Sequence, residues 1–176
     1  MKDLSVLMAG FGGQGILFIG KALTYAGLNE GMEVSLVPSY GPEMRGGTVD
    51  CTVCVSSEPI CSPVPNHPSM LVSMNQLSFG KFIDRIAPGG TVIYDSTLVK
   101  PETDRTDIKL IGVPATRLAD ENGMSANVIM LGYIIKATDF CDLETIEKAL
   151  KKCISARKQH LLPKNMEAVG IGYALD

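Results

Sequence analysis

Gly10, Gly12 and Gly15 satisfy a G-x-G-x-x-G spacing inside the run Gly10-Phe11-Gly12-Gly13-Gln14-Gly15. Glycines at these intervals let a chain turn tightly after a strand and bare backbone N–H groups at the start of a helix. An anion can meet the positive end of the helix dipole there. A pyrophosphate, a carboxylate or a partner side chain would suit such a turn, and so would close strand–helix packing with no ligand at all. A nicotinamide dinucleotide also needs a carboxylate at the end of the second strand for the ribose hydroxyls. That segment ends Val37-Pro38-Ser39-Tyr40, with Glu30 and Glu33 lying before it or at its start. A Walker loop fails as well, because Ile16 follows Gly15 and Gly20-Lys21-Ala22 lacks the hydroxyl.

A second loop, Ser39-Tyr40-Gly41-Pro42-Glu43-Met44-Arg45-Gly46-Gly47, should reach the same carboxyl edge of a parallel sheet. Within it Arg45 could fork onto a phosphate, a carboxylate or a partner subunit, and Glu43 could equally pair with it to hold the loop. Asp95 arrives at that edge from a later strand, as a lone carboxylate of the kind that caps turns. Cys51-x-x-Cys54 has a metal-ligand spacing, with Cys61 as a possible third ligand. However, 48–55 alternates, placing Val49, Cys51, Val53 and Val55 on one side and Thr48, Asp50, Thr52 and Cys54 on the other. Two sulfurs three apart on a strand face opposite ways, which favours a structural role. His67 and His160 have no nucleophile or carboxylate spaced around them and are assigned to the surface.

The elements that position these residues alternate along the chain. An apolar strand over 4–9 precedes the glycine turn, and a helix runs from Ile16 to Glu30, stopped by Gly31. Strands follow at 33–37, 48–55, 70–74, 91–94 and 109–113. The stretch 58–68 holds Pro59, Pro63, Pro65 and Pro68 and must cross the surface as an extended connector. Asn75 can cap a helix that Pro88-Gly89-Gly90 ends. A short helix at 115–121, a helix apolar all round at 125–137 and an amphipathic helix carrying Leu143, Ile146, Leu150 and Cys153 complete the pattern before a last turn or helix at 165–175. The pattern predicts an α/β fold: one Rossmann-like domain over 1–176, a mostly parallel sheet with helices on both faces, and one alternating edge strand at 48–55.

The chain has 176 residues, 45% of them hydrophobic, with 16 Lys+Arg against 19 Asp+Glu. A formal net charge of -3 and 6% aromatics, with no Trp, argue against nucleic acid or an anionic membrane as partner. Five cysteines, an odd number without an export signal, point to reduced thiols and a cytoplasmic setting.

Two motifs taken together, Gly10-Phe11-Gly12-Gly13-Gln14-Gly15-Ile16 and 39–47, carry a resemblance. Tyr94-Asp95-Ser96, Pro114-Ala115-Thr116 and Asn127-Val128-Ile129-Met130-Leu131-Gly132 extend it over nearly the whole chain. The sequence resembles the gamma subunit, or gamma domain, of the 2-oxoacid:ferredoxin oxidoreductases. Phe11 makes it look more like the 2-oxoglutarate and 2-oxoisovalerate branches than the pyruvate branch. The resemblance implies a complex that converts a 2-oxoacid and coenzyme A to acyl-CoA and CO2, reducing ferredoxin. It implies alpha and beta partner subunits, a delta subunit as a further candidate, and thiamine diphosphate and iron-sulfur clusters on those partners. No catalytic residue or metal ligand carries over to this chain. Coenzyme A is the cofactor that could reach it, and Gly10, Gly12, Gly13, Gln14, Gly15, Tyr40, Glu43, Arg45, Asp95 and Asn127 are the candidate cofactor-facing or subunit-interface residues. A stand-alone nucleotide-binding oxidoreductase and a regulatory module remain the alternatives.

Overall fold

The computed structural model of the chain describes residues 3–40 and 47–176. Glu43 and Arg45, both singled out by sequence, lie outside the described residues. Among the described residues, six strands form one sheet: β1 (Leu4–Phe11), β2 (Glu33–Tyr40), β3 (Thr48–Ser56), β4 (Met70–Ser73), β5 (Thr91–Asp95) and β6 (Lys109–Val113). Their order is β2-β3-β1-β4-β5-β6. β4, β5 and β6 extend parallel from β1, whereas β3 runs antiparallel to both of its neighbours, β1 and β2.

The expected edge position of the alternating strand is therefore corrected. β3 sits inside the sheet, hydrogen-bonded on both sides, and the edges are β2 and β6. Alternation reports which side of a strand is apolar and says nothing about how many neighbours its backbone has. β2 is also longer than the sequence suggests. Its ladder with β3 runs on through Pro38 opposite Cys51 to Tyr40 opposite Val49. Proline lacks a donor, and an edge strand has one side on which none is needed.

Six α-helices cover the two faces: α1 (Ile16–Asn29), α2 (Gln76–Phe82), α3 (Ala115–Asn122), α4 (Ala126–Thr138), α5 (Leu143–Cys153) and α6 (Leu162–Ala174). Along β1 successive side chains enter different cores, as the pleat requires. Val6 and Met8 join the larger one with Ile19, Leu23, Ile129, Leu131, Ile146 and Val169 from the helices. Leu7 and Ala9 join the smaller one, where Phe79, Phe82 and Ile86 close over Leu71 and Val92. The helical cover is thus uneven, with α2 and the 3₁₀ turn at Ile83–Arg85 on one face and the other helices on the opposite one.

Local chemistry explains three of the helix ends. Asn75 accepts the Ser78 amide through Oδ1 at 2.8 Å and starts α2, as an N-cap should. Asp142 does the same for α5, accepting from the Thr145 amide at 2.7 Å. Gly123, at φ 61, ends α3 in the left-handed conformation that glycine adopts without a Cβ penalty.

Candidate functional site

The carboxyl ends of β1, β4 and β5 form one rim, to which β1 contributes the glycine turn. β1 delivers Phe11 to the turn, Gly12 and Gly13 are exposed, and α1 begins at Ile16. Gly15 caps α1 with φ 74 and ψ 24, a left-handed conformation, and its carbonyl accepts the amides of Phe18 and Ile19 at 3.1 and 3.3 Å. Helix geometry leaves the amides of Gly15, Ile16 and Leu17 without intrahelical acceptors. The turn itself is closed by Gln14 N–H donating to the Phe11 carbonyl at 3.1 Å.

Two side chains fix this turn to the rest of the molecule. Asn127, in the first turn of α4, donates Nδ2 to the Gly15 carbonyl at 3.2 Å. Gln14 folds inward: Oε1 accepts from the Phe11 amide at 2.7 Å and from Asn75 Nδ2 at 3.1 Å, while Nε2 donates to the Met74 carbonyl at 2.9 Å. Gly10 makes room for it, since a Cβ there would stand 2.8 Å from Gln14 Oε1. The structure therefore brings Gly10, Gln14, Gly15 and Asn127 together, and it directs the Gln14 amide at the protein.

Asp95 lies on the rim two strands away, about 10 Å by ordinary strand spacing. It is fully buried and accepts from the Thr97 amide at 3.0 Å, the Thr116 amide at 3.0 Å and Thr116 Oγ1 at 2.5 Å. Its carboxylate ties the end of β5 to the first turn of α3. Tyr40 ends β2 opposite Val49, at the same end of the sheet as Phe11, which pairs with Thr48.

A cleft of about 480 Å³ opens beside the turn, lined by Gly13, Gly15, Phe18 and Asn127 on one side and by Ile154, Lys158 and Asn165 on another. A smaller hollow of about 330 Å³ runs along Phe11, Gly12, Leu17, Phe18 and Val49. Sequence reasoning assigned no role at the cleft to Lys158 or Asn165, which come from a segment without a motif. It gave Asn75 a cap and missed the second bond to Gln14, because only the adjacency of β1 and β4 places the two residues together.

Cys51 and Cys54 are not arranged to ligate one metal ion. Cys51 faces α1, with its Sγ 3.9 Å from the Ile16 carbonyl, whereas Cys54 faces the proline connector, 3.7 Å from the Pro63 carbonyl. Burial pushes the Cys51 thiol up to about 12, and the neighbouring Asp50 carboxylate adds to that. Cys153, at the cleft, is pushed up to about 11 by burial. A thiol that keeps its proton is a weak nucleophile. His67 and His160 are exposed.

Residues 5–175 match the family described as Pyruvate ferredoxin/flavodoxin oxidoreductase. The chain belongs to this family. Within it, the chain is 37% identical over 173 residues to the ketoisovalerate oxidoreductase subunit VorA of Methanothermobacter thermautotrophicus, covering 97% of this chain and 36% of that protein. The chain thus spans about a third of the length of the VorA relatives it matches. It is 35% identical to the 2-oxoglutarate synthase subunit KorC of Methanocaldococcus jannaschii, covering 96% of this chain and 91% of that one. The fold recurs in 2-oxoglutarate:ferredoxin oxidoreductase from Magnetococcus marinus, solved with 2-oxoglutarate, coenzyme A and succinyl-CoA bound. There the TM-score is 0.89 at 24% identity, covering 99% of this chain and 31% of that one. It recurs also in the gamma subunit of the keto/oxoacid ferredoxin oxidoreductase of Geobacter sulfurreducens, with a TM-score of 0.80 at 23% identity, covering 99% and 98%. At those identities the likeness is one of fold.

Proposed function

We propose that the chain is the gamma subunit of a multi-subunit 2-oxoacid:ferredoxin oxidoreductase acting in the cytoplasm, with 2-oxoglutarate as its oxoacid. The complex converts the oxoacid and coenzyme A to acyl-CoA and CO2 and passes the electrons to ferredoxin. The observation that carries this reading is the length-for-length match to a KorC subunit, over 96% of one chain and 91% of the other. The family match over residues 5–175 supports it.

The chemistry of the rim agrees with a supporting role. Asp95 is taken up by Thr97 and Thr116, and the Cys51 thiol is held protonated. The sulfurs of Cys51 and Cys54 point to opposite faces of the sheet and do not fit an iron-sulfur cluster. In this reading thiamine diphosphate and the clusters belong to the alpha and beta partners, with a delta subunit as a further candidate. For coenzyme A, the fitting elements here are the amides of Gly15, Ile16 and Leu17 along the smaller hollow, with Gly15 and Lys158 also lining the cleft. These residues would bind and orient the anionic end of the cosubstrate, which supplies the thiol that accepts the acyl group.

Co-expression with candidate partner subunits, followed by acyl-CoA assays with 2-oxoglutarate, 2-oxoisovalerate and pyruvate, tests the reading. The expected result is stoichiometric co-purification and ferredoxin reduction fastest with 2-oxoglutarate. Recovery of the chain without a thiamine-dependent partner overturns it, and so does micromolar binding of NAD or flavin by the chain alone.

A further inference from the structure

We infer that Gln14 and Asn75 are a pair of positioning residues that hold the glycine turn in its docking shape. The inference rests on the reading above, in which the turn meets coenzyme A. Gln14 carries the turn, and Asn75 lies between the end of β4 and the start of α2. The orientation of each amide is fixed by groups that can only donate or only accept. The Phe11 N–H must meet Gln14 Oε1, at 2.7 Å, and the Met74 carbonyl must meet Nε2, at 2.9 Å. The Ser78 N–H must meet Asn75 Oδ1, which turns Asn75 Nδ2 toward Gln14 at 3.1 Å.

Both ends of this bridge are anchored. Asn75 is 4% exposed, and its carbonyl accepts from Ser73 Oγ at 2.9 Å. The Met74 amide donates to the Ala9 carbonyl at 2.9 Å, which joins the end of β4 to β1 one residue before Gly10. At the tip of the turn between these anchors, Gly13 has no packing of its own. Gly13 stands at φ 97, and a Cβ there would meet nothing within 4 Å. Glycines in that state sample many conformations, and a ligand docking on them would have to order them. By holding Gln14 in place, Asn75 orders the turn beforehand, so the cost of docking falls.

Asn75→Ser separates this role from the helix cap. A serine still accepts the Ser78 amide, as a good N-cap does, but is too short to reach Gln14. The experiment measures acyl-CoA formation at varied coenzyme A in the assembled complex, alongside amide hydrogen exchange. The hydrogen-bonded amides of the turn, those of Phe11 and Gln14, should exchange about ten-fold faster while α5 is unchanged, and the apparent KM for coenzyme A should rise about five-fold with kcat held within about two-fold. Gln14→Met, which keeps the volume and removes all three bonds, should move the same two readouts in the same direction. Unchanged exchange in the turn overturns the inference. So does faster exchange with KM unmoved, or a loss confined to kcat and thermal stability. Failure of the gamma-subunit assignment is separately visible, because the wild-type complex would then form no acyl-CoA.

Discussion

The side-chain amide of Asn127 reaches across 112 residues to the carbonyl of Gly15. That oxygen also accepts the amides of Phe18 and Ile19, so three donors converge on one acceptor. Gly15 is restricted in a second way. A Cβ on it would overlap Asn127, coming within 2.8 Å of Cγ, and φ 74 is strained for any other residue. Gly15→Ala is therefore expected to lose more than about 2 kcal/mol, combining left-handed strain with overpacking. Asn127→Ala alone should lose about 1 kcal/mol, the net worth of one hydrogen bond. In the double variant the overlap disappears and only the φ strain and the lost bond remain. Urea denaturation should give a loss clearly smaller than the sum of the two singles. Strict additivity would mean that the two residues do not compete for the same space.

Gly132 and Gly172 make the crossing of α4 and α6 possible. A Cβ on Gly132 would overlap the Val169 carbonyl, and one on Gly172 would overlap the Ile129 carbonyl. Both neighbours are backbone and cannot swing aside. Gly170, in the same helix, would meet nothing within 4 Å. Replacement by alanine should thus have opposite signs along a single helix. Gly172→Ala and Gly132→Ala should each destabilise by about 2 kcal/mol or more through forced separation of the helices. Gly170→Ala should stabilise by about 0.5 to 1 kcal/mol through helix propensity. Thermal unfolding of the three variants checks this, and a stabilising Gly132→Ala would contradict the packing.

What sequence could yield here was the local part. The strand–turn–helix at the glycines, its stop at Gly31 and the Asn75 cap are each written within a few residues and appear as expected. Sheet order was not written that way. Thr48, Asp50 and Thr52 suggested a wet edge strand, yet they lie on an interior strand, on the face where α2 covers β1 and β4 instead. The same limit applies to the site. Nothing local distinguishes a Gln14 that faces a ligand from one that grips Met74, because Met74 arrives only through the pairing of β4 with β1.

The buried Cys51 and half-buried Cys141 thiols give the protein a stability that depends on pH. Burial holds Cys51 up to about 12 and Cys141 up to about 12, with Glu30 and Asp142 adding to the latter. An unfolded thiol ionises near about 8.5. Above that pH the unfolded chain gives up protons that the folded chain keeps, so stability is complete below it and falls as pH rises toward the folded values. For Cys51 alone the slope approaches about 1.4 kcal/mol per pH unit. Urea midpoints measured between about pH 8 and about pH 10 should fall more steeply for wild type than for Cys51→Ala with Cys141→Ala. Equal slopes would show that these thiols ionise alike in both states.

Gly12 separates fold from function more cleanly than any other residue of the turn. It is exposed, it has no left-handed φ, and a Cβ on it would meet only Val49 Cγ2, at an ordinary 3.9 Å. The fold gives no reason for glycine at this position, in contrast to Gly13 at φ 97. If the rim is a docking surface, the reason is the close approach of something to the backbone. Gly12→Ala should then leave the unfolding midpoint unchanged, or raise it slightly through lower unfolded-chain entropy. It should also raise the apparent KM for coenzyme A, or the dissociation constant of the complex, by about ten-fold. Gly13→Ala should do the reverse in the first respect, losing about 1 kcal/mol of stability to strain. Kinetics and assembly indistinguishable from wild type in Gly12→Ala would remove the exposed turn as the place where ligand or partner makes contact, and would leave Gly10 and Gly15 as glycines of the fold alone.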